Sequence, residues 1–392
     1  MTAAPPHRQH AAVPPWRNVR VLRVVAQVVA VVIVLLFGLW LFGNLAANMR
    51  ASGLTFGFRF LDTSAGFRIA ETPIPYRPTD PYFRAFLVGL ANTLMISVAG
   101  IILATVLGVI TGVARLSTNW LLNKIAAGYV EIMRNTPLLV QLVLIYAVLL
   151  QLPSVGNSIT LPGSIYLNQR GLFLPKPETE PGFGPWLVLI LVAVLIAFAA
   201  GRLGARREAA GLRTYRLGLI GSIALIAIPL IGWFALNPVE FDLPEQQRFN
   251  FVGGVSASPE LTALLVGLVI YTAAFIGEVV RGGIQSVRRG QLEAAYAVGL
   301  TPSQTLRLIV FPQALRVIVP PLTSQYLNLA KNSSLAIAVG FADLFSVGRT
   351  ISSQTGQAVS VIVLVMATYL AISLSASLLM NIYNRRVQVL EG

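Results

Sequence analysis

Long apolar runs separated by short polar segments make up most of the chain. A helix needs about 20 predominantly apolar residues to cross the hydrocarbon core of a bilayer. Eight segments reach or approach that length, and they are 24–42, 86–113, 138–152, 186–201, 217–236, 261–280, 317–338 and 359–382. The pattern therefore predicts an all-α polytopic membrane protein with about eight transmembrane helices.

The longer segments between the predicted spans lead to separate expectations. Segment 44–84 has mixed charge and several prolines, which predicts an ordered but irregular external segment. In 153–184, prolines and glycines interrupt every periodic pattern, so we expect an external loop with neither helix nor strand. The first apolar run follows three arginines and could be a secretory signal, but its length favours an uncleaved anchor.

The polar segment 288–316 is predicted to form a helical hairpin between two spans. Residues 291–298 are rich in Glu and Ala, and Gly299 stands where a left-handed residue closes the last turn of a helix. From Thr301 to Gln304 the chain has a capping box, with Thr at the N-cap, Pro at the first helical position and Gln at the third. The pattern therefore predicts a helix, a sharp turn and a second helix.

The second helix of this hairpin has an apolar side and a basic side. Its apolar side chains are Leu306, Ile309, Val310 and Leu315. Arg307 and Arg316 do not lie on that side. We therefore expect this helix to lie along the membrane surface.

Composition excludes several classes of protein. Hydrophobic residues make up 55% of the 392-residue chain and charged residues only 11%, which excludes a soluble multidomain protein. With no cysteine, the chain has no disulfide, thiolate metal site or thiol nucleophile. The two histidines, His7 and His10, lie in the N-terminal tail, so we expect no metal site and no acid–base catalysis in the interior.

The formal net charge of +14 is interpreted as a sign of orientation in the membrane and not of nucleic-acid binding. The basic residues lie in short loops between apolar runs and have no interleaved aromatic residues. If the N-terminus is cytoplasmic, 19 of the 29 cations and only five anions lie on the inner side. This excess matches the positive-inside rule. Both termini and the hairpin 288–316 are therefore predicted to be cytoplasmic.

A few polar residues interrupt the predicted spans. Polar groups are costly in a bilayer unless they line a cavity or bond to another helix. The candidates for a translocation path are Asn92, Thr93, Asn135, Thr136, Gln141, Glu278, Asn328, Lys331, Asn332, Ser333 and Ser334. Each of them could instead donate or accept an interhelical hydrogen bond.

The seventh span is predicted to be a discontinuous helix that lines a cavity. Pro320 and Pro321 are expected to open it, and the polar cluster around Lys331 to break it. Lys331 could bind a substrate carboxylate and Glu278 an ammonium group. Alternatively, these two residues pair with each other or lie near an interface. Gly108 and Gly112 form a small-residue face that is expected to pack helices.

The hairpin resembles the cytoplasmic coupling loop of ATP-binding-cassette (ABC) importer permeases, whose pattern is EAA-x3-G-x9-I-x-L-P. The matching residues are Glu293, Ala294, Ala295, Gly299, Ile309 and Pro312, and Phe311 replaces the leucine. A second EAA at Glu208 lacks the downstream residues and is interpreted as a chance match. The resemblance implies a type I ABC importer permease fold with a five-helix core, formed here by spans two, three, six, seven and eight.

Further phrases resemble the polar amino-acid uptake permeases of the histidine and glutamine type. They are LVGLANTLMIS at 87–97, YVEIMRNTPLLVQL at 129–142, GEVVRGGIQSV at 277–287 and NLAKNSSLAIAVGFADL at 328–344. The external string FLDTSAGFRIAETPIPYRPTDPYFRA at 60–85 is similar to the longer general L-amino-acid permeases and their glutamate/glutamine/aspartate/asparagine relatives. The resemblance implies import of polar or L-amino acids, with Glu, Gln, Asp and Asn as the narrower set.

The chain has no P-loop, so ATP hydrolysis is expected in another chain. The resemblance implies an ABC ATPase dimer that holds ATP and Mg, a second permease subunit in a heterodimer, and a periplasmic amino-acid-binding protein. It also implies the bacterial inner membrane, with no cofactor in this chain and no enzymatic activity of its own. The competing hypotheses are an ion-coupled secondary carrier or channel, which would need acidic relays in the spans, and a membrane scaffold without a path.

The predicted domain organisation has two parts. Residues 1–85 comprise the cytoplasmic tail, the first anchor and an external loop. Residues 86–386 form the permease domain, with an insertion at about 153–257 that carries two extra spans.

Overall fold

A computed structural model describes residues 19–51, 56–210, 215–248 and 250–388. His7, His10 and the predicted tail lie outside these residues. The helices are α1 Val19–Ala51, α2 Tyr82–Ala114, α3 Trp120–Asn135, α4 Leu138–Leu150, α5 Phe183–Ala209, α6 Tyr215–Leu236, α7 Pro259–Gln285, α8 Arg289–Ala297, α9 Pro302–Thr305, α10 Phe311–Asn332, α11 Leu344–Thr355 and α12 Ala358–Gln388.

Within the described residues, seven helical segments are long and apolar enough to cross a membrane. An eighth span results if α3 and α4, which meet at an angle of 107°, count as one broken span. The predicted number of spans and the fold class are therefore confirmed. The sequence-based prediction missed α3 and α11, which are too short and too amphipathic to stand out as apolar runs.

Helix α7 is the centre of the bundle and packs against α2, α3, α4 and α10. The contact with α2 is close, because a Cβ atom added at Gly108 would lie 2.5 Å from Ile276 and one added at Gly112 would lie 2.7 Å from the carbonyl oxygen of Gly277. The prediction that this glycine pair packs helices is confirmed. Helix α12 packs against α10 and α11 and completes the core.

The extra spans are less buried than α2, α7 and α10 of the core. In the most apolar stretch of α1, no residue is buried against other described residues. Helices α5 and α6 pack against each other along small residues, where Gly221 faces Ala197 and Ala200. The indole nitrogen of Trp186 also donates a hydrogen bond of 2.9 Å to the carbonyl of Pro229.

The prediction that 153–184 contains no strand is wrong. That segment and 237–258 together form short strands, which are β1 Ile159–Leu161, β2 Ile165–Asn168, β3 Gly171–Leu174, β4 Lys176–Thr179, β5 Val239–Asp242, β6 Glu245–Gln246, β7 Phe251–Val252 and β8 Val255–Ala257. An antiparallel sheet has the order β1-β2-β3-β8, and β4-β5 and β6-β7 are separate ribbons. The glycines that interrupted the pattern make the turns between strands, where Gly163 has a φ of 82°.

Three expectations for the seventh span need correction. The second helix of the hairpin does not end as a separate surface helix, because α9, a π-helical turn over Leu306–Val310 and α10 form one helical run. Pro320 and Pro321 lie inside α10 and do not open it. At the polar cluster the helix changes type without an interruption, since α10 ends at Asn332 and continues as a 3-10 helix over Ser333–Ala338 within one helical segment, 302–338.

Residues 56–81 form an irregular segment, as predicted. In residues 56–81, the helical structure is one 3-10 turn at Arg59–Asp62. An isolated bridge joins Ser64 to Pro81. Phe60, Phe67 and Tyr76 pack against a core cluster formed by α2, α11 and α12, which holds this segment against the bundle.

Candidate functional site: coupling hairpin and translocation path

The hairpin closes through local hydrogen bonds that the sequence encodes. Gly299 has a φ of 82°, and the N–H groups of Gly299 and Leu300 donate to the carbonyls of Tyr296 and Ala295 at 3.0 and 3.1 Å. This is the Schellman arrangement, which needs a left-handed residue. Thr301 and Gln304 then form the predicted capping box, with reciprocal hydrogen bonds of 2.9 and 3.3 Å. The predicted helix, turn and cap are confirmed.

The exposed face of α8 includes only part of the EAA motif. Ala295 is only 4% exposed and packs inside the hairpin, so it cannot offer a contact surface. Glu293 and Ala294 are exposed, and with them Tyr296 at 53% and Val298 at 76%. An exposed tyrosine at the tip of a polar hairpin is a typical anchor for a protein partner, and the exposed valine adds apolar surface beside it.

The base of the hairpin is joined to the bundle through apolar contacts. Val287 and Leu292 belong to one cluster with Val310, Ala314 and Ile318. Ile309 is half-buried in the π-helical turn, and Pro312 follows in the first turn of α10. Proline has no N–H to donate to the carbonyl four residues earlier, which relaxes the helix at this point. The apolar cluster links α8 to the start of α10 through Leu292 and Ala314.

Asn92 and Thr93 are buried and join separate parts of the chain. The amide nitrogen of Asn92 donates to the carbonyls of Glu71 and Ala342 at 3.0 and 2.9 Å. The hydroxyl of Thr93 accepts from the N–H of Leu344 at 3.0 Å. These contacts hold α2 to the irregular segment 56–81 and to the start of α11.

Next to this junction, Asp343 caps α11 and is fully buried between two candidate spans. Its carboxylate accepts hydrogen bonds from the N–H of Ser346 at 2.8 Å and from the hydroxyl of Tyr369 at 3.0 Å. Burial raises the pKa of this carboxyl, and the hydrogen bonds act in the opposite direction.

Thr136 and Gln141 stabilise the bend between α3 and α4. The amide nitrogen of Gln141 donates to the carbonyls of Met133 and Thr136, both at 3.0 Å. The hydroxyl of Thr136 donates to the carbonyl of Ile132 at 2.9 Å. Since the last carbonyls of a helix lack partners, these bonds complete the end of α3.

Glu278 belongs to a charged cluster and does not pair with Lys331. Its carboxylate forms ion pairs with Arg115, at the end of α2, and with Arg281, one turn further along α7. Asn135 and Glu278 line the same cavity of about 400 Å³. Of the two alternatives for Glu278, the location near the end of the spans fits this geometry.

The polar cluster at the end of α10 is partly exposed and partly buried, with Ser333 0% exposed. Asn328 and Lys331 are exposed, Asn332 is half-buried, and the hydroxyls of Ser333 and Ser334 donate to carbonyls one turn back at 2.8 Å. Lys331 and Ser334 line a cleft of about 610 Å³ together with residues of α11 and α12.

A second basic side chain, which the sequence pattern did not single out, lines the cleft. Arg349 of α11 is exposed and lines the cleft, and no carboxylate does. Among the described residues, neither Lys331 nor Arg349 forms an ion pair. Most of the remaining lining is apolar and comes from α12, including Met366 and Leu370. Unpaired cations beside spans are costly, so such a cleft favours an anionic group.

Residues 193–389 match the family described as binding-protein-dependent transport system inner membrane component. Over 368 residues, the chain is 44% identical to the putative amino-acid ABC transporter permease protein YhdX of Escherichia coli (strain K12). The alignment covers 93% of this chain and 94% of the relative. The chain belongs to this family of ABC importer permeases.

Two further relatives of this permease align over most of its length. The general L-amino acid transport system permease protein AapQ of Rhizobium johnstonii is 42% identical, over 93% of this chain and 92% of the relative. The glutamate/glutamine/aspartate/asparagine transport system permease protein BztB of Rhodobacter capsulatus is 41% identical, over 93% of each. The predicted family and the function of a multi-pass permease subunit are confirmed.

Some features of this permease could not be read from its sequence. Tyr296 and Val298 follow the EAA residues directly, but only the folded hairpin reveals that they are exposed while Ala295 is buried. Arg349 lies in a short amphipathic helix, and its proximity to Lys331 depends on how α11 folds back.

Proposed function

We propose that this permease carries polar L-amino acids into the cytoplasm, driven by a separate ATPase dimer. The observation that carries the coupling to an ATPase is the exposed, locally closed hairpin with Tyr296 and Val298 at its tip. Family membership supports it. The three relatives are all named as amino-acid permeases, which supports amino acids as the substrate class. Within that class, glutamate, glutamine, aspartate and asparagine are the narrower set of proposed substrates.

The hairpin is proposed to dock on the ATPase through α8 and to transmit its closure to α10. The charge excess on one side of the spans supports a cytoplasmic location for the hairpin and for both termini. Movement of α8 would bias the bundle between two arrangements only if the ATPase binds them with different affinity.

The cleft beside Lys331 is proposed to be part of the translocation path. Lys331 and Arg349 would bind the carboxylates of the substrate, and the apolar side chains of α12 would contact its carbon skeleton. The cleft is open on one side, which a second permease subunit would cover. We propose a heterodimer, together with a periplasmic amino-acid-binding protein that delivers the substrate.

Co-purification tests the coupling. The permease with Glu293→Lys should retain less of the ATPase subunit than the unmodified permease, because the substitution reverses a charge on the exposed face of α8. Glu208→Lys, in the second EAA, is the matched control and should retain the full amount. Equal retention in both variants would contradict the assignment of the hairpin.

Reconstitution tests the substrate class. The complete transporter in proteoliposomes should hydrolyse ATP faster when its binding protein is loaded with a polar amino acid, across a panel of the common amino acids. Stimulation by sugars or metal ions alone would contradict the amino-acid assignment.

A further inference from the structure

A second cavity lies at the end of the bundle where α4 ends and α7 begins, which is the external end in the proposed topology. Its volume is about 770 Å³. Three parts of the chain line it, namely residues 70–73, the inserted strands with their turns, and the core helices, with Met95 inside α2, the last residue of α4 and the start of α7. The volume lies within the range of about 300–1,000 Å³ that small-molecule sites typically have.

One wall carries an oriented carboxylate. Glu260 lies in the first turn of α7 and lines the cavity. The hydroxyl of Tyr146, on α4, donates a hydrogen bond of 2.8 Å to its carboxylate. Glu260 is therefore held between two core helices. Glu71 adds a second acidic residue to the lining, and its backbone is fixed because its carbonyl accepts the hydrogen bond from Asn92.

Arg170 also lines the cavity and lies on a rigid turn between β2 and β3. The N–H of Arg170 donates to the side-chain oxygen of Asn168 at 2.8 Å, and Asn168 is fully buried. The amide nitrogen of Asn168 in turn donates to the hydroxyl of Ser158 at 3.0 Å. Gly171 follows with a φ of 118°, and a Cβ atom there would lie 2.0 Å from the carbonyl oxygen of Ala257. The turn is thus fixed on both sides of Arg170.

We propose that this cavity is an external vestibule that binds a zwitterionic α-amino acid before the amino acid enters the spans. The guanidinium of Arg170 would bind the carboxylate, and the carboxylate of Glu260 would bind the ammonium group. The inference rests on the proposed function, because it takes amino acids as the substrates. It also gives the insertion at 153–257 a part in transport.

The lining favours a small zwitterion over a segment of a docking protein. Protein partners usually anchor through large exposed apolar side chains. Here the two phenylalanines, Phe173 and Phe251, are 5% and 6% exposed and pack against each other at an interplanar angle of 30°. The exposed large apolar side chains of the lining are Met95, Leu150 and Val255, and none of them is aromatic. The remaining polar lining comes from amide and hydroxyl groups, which are Thr72, Gln169, Asn250, Ser256 and Ser258.

The test uses the complete reconstituted transporter and measures two quantities. One is the number of radiolabelled L-glutamine or L-glutamate molecules imported per ATP hydrolysed. The other is the concentration of loaded binding protein that half-saturates the ATPase. Glu260→Gln and Arg170→Ala should each lower the import per ATP about tenfold and leave the half-saturating concentration unchanged, because the amino acid would escape before it enters the spans.

Tyr146→Phe should lower the import per ATP less than Glu260→Gln, since it removes only the group that orients the carboxylate. The matched control is Glu178→Gln, which breaks the exposed ion pair with Lys176 elsewhere in the inserted strands and should change neither quantity. A melting temperature within the range of the unmodified transporter shows that each variant is folded. If a variant does not fold, Arg170→Lys, which keeps the charge but not the forked geometry, replaces Arg170→Ala, and Glu260→Asp replaces Glu260→Gln.

Two results would overturn the vestibule. A higher half-saturating concentration with unchanged import per ATP would show that the cavity contacts the binding protein. Unchanged values of both quantities would show that the cavity has no part in transport. Failure of the unmodified transporter to import any amino acid would instead contradict the proposed function itself.

Discussion

At the scale of single residues, a substitution at Val298 should weaken ATPase binding without changing the stability of the fold. Its side chain is 76% exposed, so Val298→Asp should change the free energy of unfolding by no more than about 0.5 kcal/mol. If the ATPase covers it, the carboxylate would be buried without a partner, and the Kd for the ATPase should rise at least about tenfold. Titration of the detergent-purified permease with the ATPase measures this. Val252→Asp, at an exposed valine on the inserted strands, should leave the Kd unchanged.

Gly299 tests whether the shape of the hairpin matters. Its φ of 82° is disfavoured for residues with a Cβ atom, and nothing lies within 4 Å of the position that a Cβ would take. Gly299→Ala should therefore cost about 1–2 kcal/mol of backbone strain alone and weaken ATPase binding about 5- to 30-fold. Gly290→Ala, in the first turn of α8 and equally open, should bind the ATPase as well as the unmodified permease does. Equal affinity in both variants would mean that the hairpin is remodelled on docking.

At the scale of elements, the contact between α7 and α10 depends on one of two adjacent glycines. A Cβ atom at Gly283 would lie 2.2 Å from Ile318, whereas one at Gly282 would meet nothing within 4 Å. Gly283→Ala should destabilise the permease by about 1–3 kcal/mol through overpacking. Gly282→Ala should not destabilise it, because alanine favours a helix over glycine by about 1 kcal/mol. Thermal unfolding in detergent should give a lower Tm for the first variant only.

Elements could be predicted from the sequence where one physical requirement fixes them. The length of an apolar run defines a span, and left-handed geometry with a capping box defines the hairpin turn. The inserted strands are two to four residues long, too short for a period-two pattern to be detected between glycines and prolines. The burial of Ala295, the bend after Asn135 and the pairing of Glu278 with Arg115 depend on tertiary contacts that no local pattern encodes.

At the scale of the whole molecule, the permease combines a tightly packed core with additions that touch it little. Helix α7 contacts most of the core, and the hairpin and the Lys331 cleft both connect to α10. The helices of the insertion pack mainly on each other, while its strands cover the end of α7. This arrangement predicts that the core and the hairpin carry the coupled movement, and that the insertion acts at the external end.

Under the proposed function, this chain moves amino acids only when an ATPase acts on its hairpin. The most direct measurement is the uptake of radiolabelled L-glutamine and L-glutamate into proteoliposomes that hold the permeases, with loaded binding protein outside and ATP inside. Uptake should require both the ATPase subunit and ATP, and Val298→Asp should abolish most of it. Uptake that persists without the ATPase and follows a proton or sodium gradient would contradict the account.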